Sequence, residues 1–456
     1  MITQLLIFCL GISGIPSLYF TLFGDSIEAN LSPEEGNQVP AVNDPNLKVE
    51  SPITLSHPTT MAFLAPNDLL VLNKEDGVSR IINDTLLPEP LLRPKVENRN
   101  ESGMLGIAAT KNQKSQYVFL FYTELLKDHK NDGCLEMKNC KDETSILRNR
   151  LYRYELIDNK LTNPKLLLDL PPAQNSEHIG GALTIGPDDN LYVIIGEGDT
   201  CARKSCYQNR DALFWSKTSN VQFGWAPEGR GGILRVTPEG NEVKEDGILG
   251  KKYPLSLYYA YGIRNGFGID FDPVSGTLWD TENGPGFGDE INMVEPGFNS
   301  GWSKVQGIWR VFDYESETKN YGWVYTDNNS SGIPEDLVKF NGKGRYSLPE
   351  LVWNKTVGVT ALKFLNSDKL GKQYENDLFV GDFKNGNIYN FDLNDDRKGL
   401  KLNGPLEDKV VNFPNETDGV IFGSGFGQIT DIEVGPDGCM YVGSIWTNQI
   451  FKICHK

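Results

Sequence analysis

This sequence predicts an all-β chain folded as a six-bladed β-propeller, preceded by an N-terminal apolar segment. Three observations predict it. Glycine is abundant, at 47 residues, and aromatics reach 11%, the composition of short strands joined by many turns. Apolar residues rarely recur at the spacing of an amphipathic helix. One pattern also returns six times: apolar alternation, a turn of Pro, Asp, Asn or Gly, then a strand ending in aromatics and valine. The copies start at Met61, Ile107, Leu183, Ile269, Leu362 and Ile432. Each is a hairpin that cannot bury both faces alone, and six hairpins widened to four strands each fit a propeller. A β-sandwich with coincidental turns is the lesser alternative.

The elements follow in chain order. Residues 2–23 are nearly all apolar and carry no charge, so 1–24 is expected to be a signal peptide or a membrane anchor. Either places the rest of the chain outside the cytoplasm, secreted or tethered at the cell surface. Residues 25–49 are polar, with Pro33, Pro40 and Pro45, and read as a linker. The propeller is expected over 50–456. Two stretches interrupt its repeat, a charged one over 127–150 and an aromatic, polar one over 309–346. Both are expected to be loops on the propeller faces, where specificity often resides.

Charge and cysteines narrow the class. A formal charge of -17 disfavours nucleic acid as a partner and suits a cation such as calcium. Cys9 lies in the apolar run. The other cysteines fall into close pairs, Cys134 with Cys140, Cys201 with Cys206, and Cys439 with Cys454. Local pairs in even number suggest disulfides in an oxidising compartment. The last pair brackets a strand–turn–strand pattern and could face across a hairpin. Asn-x-Ser/Thr triplets at Asn30, Asn83, Asn100, Asn328, Asn329, Asn354 and Asn415 are compatible with glycosylation. No glycine-rich loop follows a βα pattern, which disfavours a nicotinamide or flavin cofactor.

The chemistry concentrates between Tyr261 and Trp302. Arg264 and Asn265 stand side by side, followed by Glu282-Asn283-Gly284-Pro285 at a strand end and then Asp289-Glu290. Gly-Pro cannot continue a strand, so backbone carbonyls are freed there beside carboxylates, which suits a hard cation. An ordinary hairpin with a polar loop is the plainer reading. Of the four histidines, His178 is distinct. It precedes Gly180-Gly181 at a strand entrance, where an imidazole could serve as a general base or could simply cap a carbonyl.

Tyr-Gly-x-Arg-Asn, Glu-x-Gly-Pro, Gly-Asp-Glu-Ile-Asn and Gly-Trp, in this order and spacing, resemble the soluble PQQ-dependent sugar dehydrogenases of the glucose/sorbosone dehydrogenase family. His178-Ile179-Gly180-Gly181 leading to Gly186-Pro187-Asp188 is similar to the word carrying that family's base. The resemblance implies PQQ and calcium as cofactors and oxidation of an aldose at its anomeric hydroxyl, giving a lactone. Electrons would pass to an extracytoplasmic acceptor. It implies His178 as general base, Glu197 as its orienting carboxylate, and catalytic roles for Arg264 and Asp289. It also implies carbonyls of Gly284 and Pro285 as calcium ligands, and cofactor contacts from Arg264, Asn265 and Lys384. The chain departs from the family pattern at the remaining cofactor contacts. Gln428 and Thr430 stand where two arginines are usual, and Glu101 stands where Gln is usual. These departures support the alternative of a non-enzymatic recognition propeller that has lost PQQ. A lactone hydrolase-like propeller is a third reading, for which no ring of carboxylate and Asn ligands can be assembled.

Overall fold

The computed structural model describes residues 39–456, apart from 111–115, 127–145, 174–175, 199–215, 244–246, 312–322 and 326–334. The apolar segment, Cys134, Cys140, Cys201, Cys206, and the triplets at Asn30, Asn328 and Asn329 lie outside the described residues. Among those described there is no α-helix, and no helix long and apolar enough to cross a membrane.

All six predicted hairpins are present as paired strands. Their first strands are Pro58–Ala65, Met104–Ala109, Gly180–Ile185, Gly266–Phe271, Val359–Phe364 and Ile429–Val434. Each begins a sheet of four to six strands. Each first strand packs on the next, and the last packs on the first. The arrangement is that of a β-propeller, with these strands lining the central bore.

Hydroxyls and carboxylates of the first strands stitch neighbouring sheets. Thr59 Oγ1 donates to the Met104 carbonyl (2.7 Å), and Thr360 Oγ1 to that of Ile429 (2.6 Å). Asp431 accepts from the Met61 amide (2.7 Å) and Asp270 from the Phe364 amide (3.0 Å). Apolar layers fill the space between sheets. Phe119, Phe121 and Leu151 meet Val193, Leu234 and Tyr258, while Trp279 and Trp353 meet Leu362 and Val380.

Two expectations are corrected. Residues 25–49 are not linker throughout. Ala41–Val42 pairs with Ile421–Ser424, and Leu47–Thr54 is the outer strand of the sixth sheet, paired with Gln449–His455. The two chain ends therefore complete one sheet. Leu47 is buried, alternating with exposed Lys48, and the prolines nearby masked that short strand signal. The 309–346 stretch is not only loop either. Trp309–Val311 pairs with Val305–Gln306 and with Trp323–Tyr325, forming a small separate sheet.

The closing hairpin brings Cys439 and Cys454 into a disulfide, Cα–Cα 4.8 Å, across 15 residues of sequence. Cross-linking a loop of that length removes unfolded-chain entropy worth roughly 3 kcal/mol. Replacing both cysteines with serine is expected to lower unfolding stability by about that amount. Urea unfolding of the oxidised protein and the double variant checks this.

Candidate active site

The first strands of the third and fourth sheets enter the bore beside one another, and the residues just before them meet. His178 is buried and adopts a left-handed backbone (φ +53), a conformation that non-glycine residues hold only when their surroundings impose it. Gly181 follows at φ +110. A Cβ there would lie 2.8 Å from both Leu105 and Phe121, so the chain can pass only as glycine. The turn directs His178 at two partners. Its Nδ1 lies 2.7 Å from Glu197 Oε1, and Arg264 Nη2 lies 2.8 Å from its Nε2. A guanidinium can only donate, so Nε2 accepts and Nδ1 carries the hydrogen. The pattern leaves a neutral imidazole with its basic nitrogen inside the site.

Arg264 is itself framed. Its amide donates to Glu282 Oε2 (3.2 Å), its Nη1 donates to the Asn283 carbonyl (2.8 Å), and its guanidinium lies 5.4 Å from the Trp302 ring. Its Nε is buried without a partner among the described residues, as are Asn265 Oδ1 and Asn283 Oδ1. Buried polar atoms are normally satisfied, so these point to a polar ligand. Backbone bonds lock the loops together, from Glu197 N to Arg264 O (2.8 Å) and from Asn283 N to Asn265 O (2.7 Å).

The Gly284-Pro285 turn follows. A Cβ on Gly284 would sit 1.8 Å from the Phe287 carbonyl, so the tight turn requires glycine. Among the described residues no backbone N–H is paired with the Gly284 or Pro285 carbonyl. Asp289, given a catalytic role by the resemblance, is held at this turn. It is fully buried, Oδ1 accepts from Gly284 N (2.9 Å), and Oδ2 accepts from Val357 N (2.8 Å) and Gly358 N (2.7 Å). Its carboxylate braces the turn instead of meeting His178. Burial pushes its pKa up, against the pull of those amides.

The remaining expected contacts separate. Lys384 is on the same face. Its Nζ donates to the Thr356 hydroxyl (2.7 Å) and carbonyl (3.0 Å), above a turn held by buried Asp382. Thr430 Oγ1 donates to the Pro58 carbonyl (3.0 Å). It stitches the sixth sheet to the first, as Thr59 and Thr360 do elsewhere. The Gln428 carbonyl accepts from Ile445 N (3.0 Å). Glu101 is buried and accepts from Asn265 Nδ2 (3.1 Å) and Ile179 N (3.1 Å), so its carboxylate is engaged by the site's own residues.

Two members of one further group, Asp280 and Asn292, carried no expected site role. Asp280, Glu282, Glu290 and Asn292 project from two paired strands, all at 0–1% exposure. Asn292 Nδ2 donates to Glu282 (3.2 Å) and Glu290 (3.1 Å), while neither Asp280 oxygen has a partner among the described residues. Acidic residues at alternate positions of adjacent strands were the available signal. Burial pushes Asp280 and Glu282 well above the usual carboxylate range and Glu290 up to about 7. A carboxyl whose folded pKa is raised binds protons more tightly folded than unfolded. Its stabilising contribution is complete below the unfolded value and is lost as pH rises through the folded one. Stability is therefore expected to fall between about pH 4.5 and 7. Asp280→Asn is expected to flatten that fall, as urea unfolding at pH 5 and pH 8 would report.

An oriented imidazole, a buried guanidinium and a carboxylate-braced Gly-Pro turn thus share one face of the propeller. The chain is a member of the glucose/sorbosone dehydrogenase family, whose description, Glucose / Sorbosone dehydrogenase, matches residues 55–309 and 312–449. The aldose sugar dehydrogenase YliI of Escherichia coli strain K12 is 25% identical over 392 residues, 85% of this chain and 87% of that protein. A glucose dehydrogenase structure from Thermus thermophilus superposes with a TM-score of 0.61 at 22% identity, covering 89% of this chain and 99% of its own. The PQQ-bound aldose sugar dehydrogenase of Streptomyces coelicolor gives 0.58 at 19% identity, covering 90% and 97%.

Proposed function

We propose that this chain is an exported, calcium-dependent quinoprotein on a six-bladed propeller that oxidises the anomeric hydroxyl of aldose sugars to lactones. The observation that carries the reading is the chain of bonds from Glu197 through His178 to Arg264. Glu197 keeps the hydrogen on Nδ1, so Nε2 is the atom that takes the anomeric proton, and the carboxylate then offsets the imidazolium charge. Arg264 Nη2 covers that lone pair, so the sugar hydroxyl must take its place when substrate binds.

The residues present fit both cofactors. The orphaned Arg264 Nε and Asn265 Oδ1 would contact PQQ, with Lys384 placed to pair one of its carboxylates. The Gly284 and Pro285 carbonyls would ligate calcium, held in place by Asp289. When bound, PQQ would supply the hydride acceptor and calcium the Lewis acid that polarises it. Electrons would then leave to an extracytoplasmic acceptor. The Cys439–Cys454 disulfide supports an oxidising location.

Dye-linked oxidation with PQQ and calcium tests the reading. Free aldoses are expected to reduce the dye, whereas their methyl glycosides, which lack the anomeric hydroxyl, are not. Equal activity on both, or none on either, would reject it.

A further inference from the structure

We propose that Lys74 and Glu101 are positioning residues, a buried brace across four successive sheets that holds the His178 turn and Asn265 in register. This rests on the sugar-oxidising reading for its role in turnover, while the brace itself is a feature of the uncomplexed chain.

Glu101 grips the His178 turn from both sides. Its amide donates to the Ser176 carbonyl (3.0 Å), and its Oε2 accepts from Ile179 N (3.1 Å). Ser176 and His178 both have left-handed backbones, at φ +58 and +53, so the turn is one that must be imposed. The same carboxylate accepts from Asn265 Nδ2 at 3.1 and 3.2 Å, which ties the turn to the residue beside Arg264. One buried side chain thus sets the distance between the base and the guanidinium.

A buried carboxylate needs a compensating charge. Lys74, 3% exposed, reaches in from the first sheet, and its ammonium donates to the Asn100 carbonyl, next to Glu101. The loop closes over it tightly enough that a Cβ on Gly103 would lie 2.7 Å from the Lys74 side chain. Burial lowers the Lys74 pKa to about 8, against the attraction of Glu75, Glu101 and Glu97. Burial raises that of Glu101, against the pull of His178, the Ile179 amide, Arg264 and Asn265.

Among the described residues, the charged groups facing His178 are Glu197 from its own sheet, Glu101 from the second and Arg264 from the fourth. The Glu101 carboxylate would attract a positive charge on the imidazole, and the Lys74 ammonium beside it would oppose that attraction. The two variants Glu101→Gln and Lys74→Met, both close to isosteric, thus carry opposite signs. Histidine imidazole resonances followed by NMR against pH in the cofactor-free protein give the test. The His178 titration is expected to move to lower pH in Glu101→Gln and to higher pH in Lys74→Met. Glu101→Ala, which also removes the hydrogen bonds, is expected to speed Ile179 amide exchange and to lower kcat at least ~10-fold with KM changed under ~2-fold. Glu101→Gln should recover most of that turnover. Shifts of one sign in both variants, or none, would overturn the brace. Wild-type protein that oxidises no sugar yet shows the opposed shifts would overturn only the activity.

Discussion

Replacing His178 with glutamine is expected to lower turnover by about 10²–10⁴-fold, the usual worth of a positioned general base. Glutamine can still meet Glu197 or Arg264, but its amide has no basic nitrogen. PQQ affinity is expected to stay within a few-fold, because Arg264, Asn265 and Lys384 are untouched. Glu197→Gln should lose less. It can still accept from Nδ1 but cannot offset the imidazolium charge. Steady-state kcat beside a PQQ titration of each variant separates the two effects. Loss of PQQ binding in His178→Gln, at unchanged stability, would make this histidine a cofactor contact instead of a base.

Asp289→Ala is expected to unseat the Gly284-Pro285 turn. Three backbone N–H groups, those of Gly284, Val357 and Gly358, would lose their acceptor. At roughly 1–3 kcal/mol for each buried donor left unsatisfied, the cost is about 3 kcal/mol or more. Water entering the space would offset part of it. The functional loss should exceed the stability loss, because the Gly284 and Pro285 carbonyls are the proposed calcium ligands. Half-saturating calcium for reconstitution should rise by an order of magnitude or more in protein that remains folded. Unfolding in urea and calcium titration of reconstituted activity would report the two. A variant with normal calcium dependence would place the cation elsewhere.

The repeat was legible because each hairpin alternates about one core face, a period-2 signal that needs no tertiary information. Leu47–Thr54 was less so, since its partner, Gln449–His455, lies at the other end of the chain. His178, Glu197 and Arg264, which the family words single out, meet in the fold. What the words could not convey is how a carboxylate is spent. Asp289, which the resemblance makes catalytic, accepts from three backbone amides. Glu101 looks repulsive to an anionic cofactor and is engaged by Asn265 and Ile179. Thr430, where an arginine is usual, belongs to a stitch shared with Thr59 and Thr360. Lys74 gave no signal, because its meaning depends on Glu101 being buried beside it.

Calorimetric titration of PQQ into the purified chain, with and without calcium, tests the central claim most directly. Saturable binding that requires calcium and weakens on replacing Arg264 or Lys384 is predicted. It would show that other residues of this face compensate for Gln428 and Thr430 standing where arginines are usual. Absence of binding at millimolar calcium would contradict it and leave a recognition propeller that keeps the family fold.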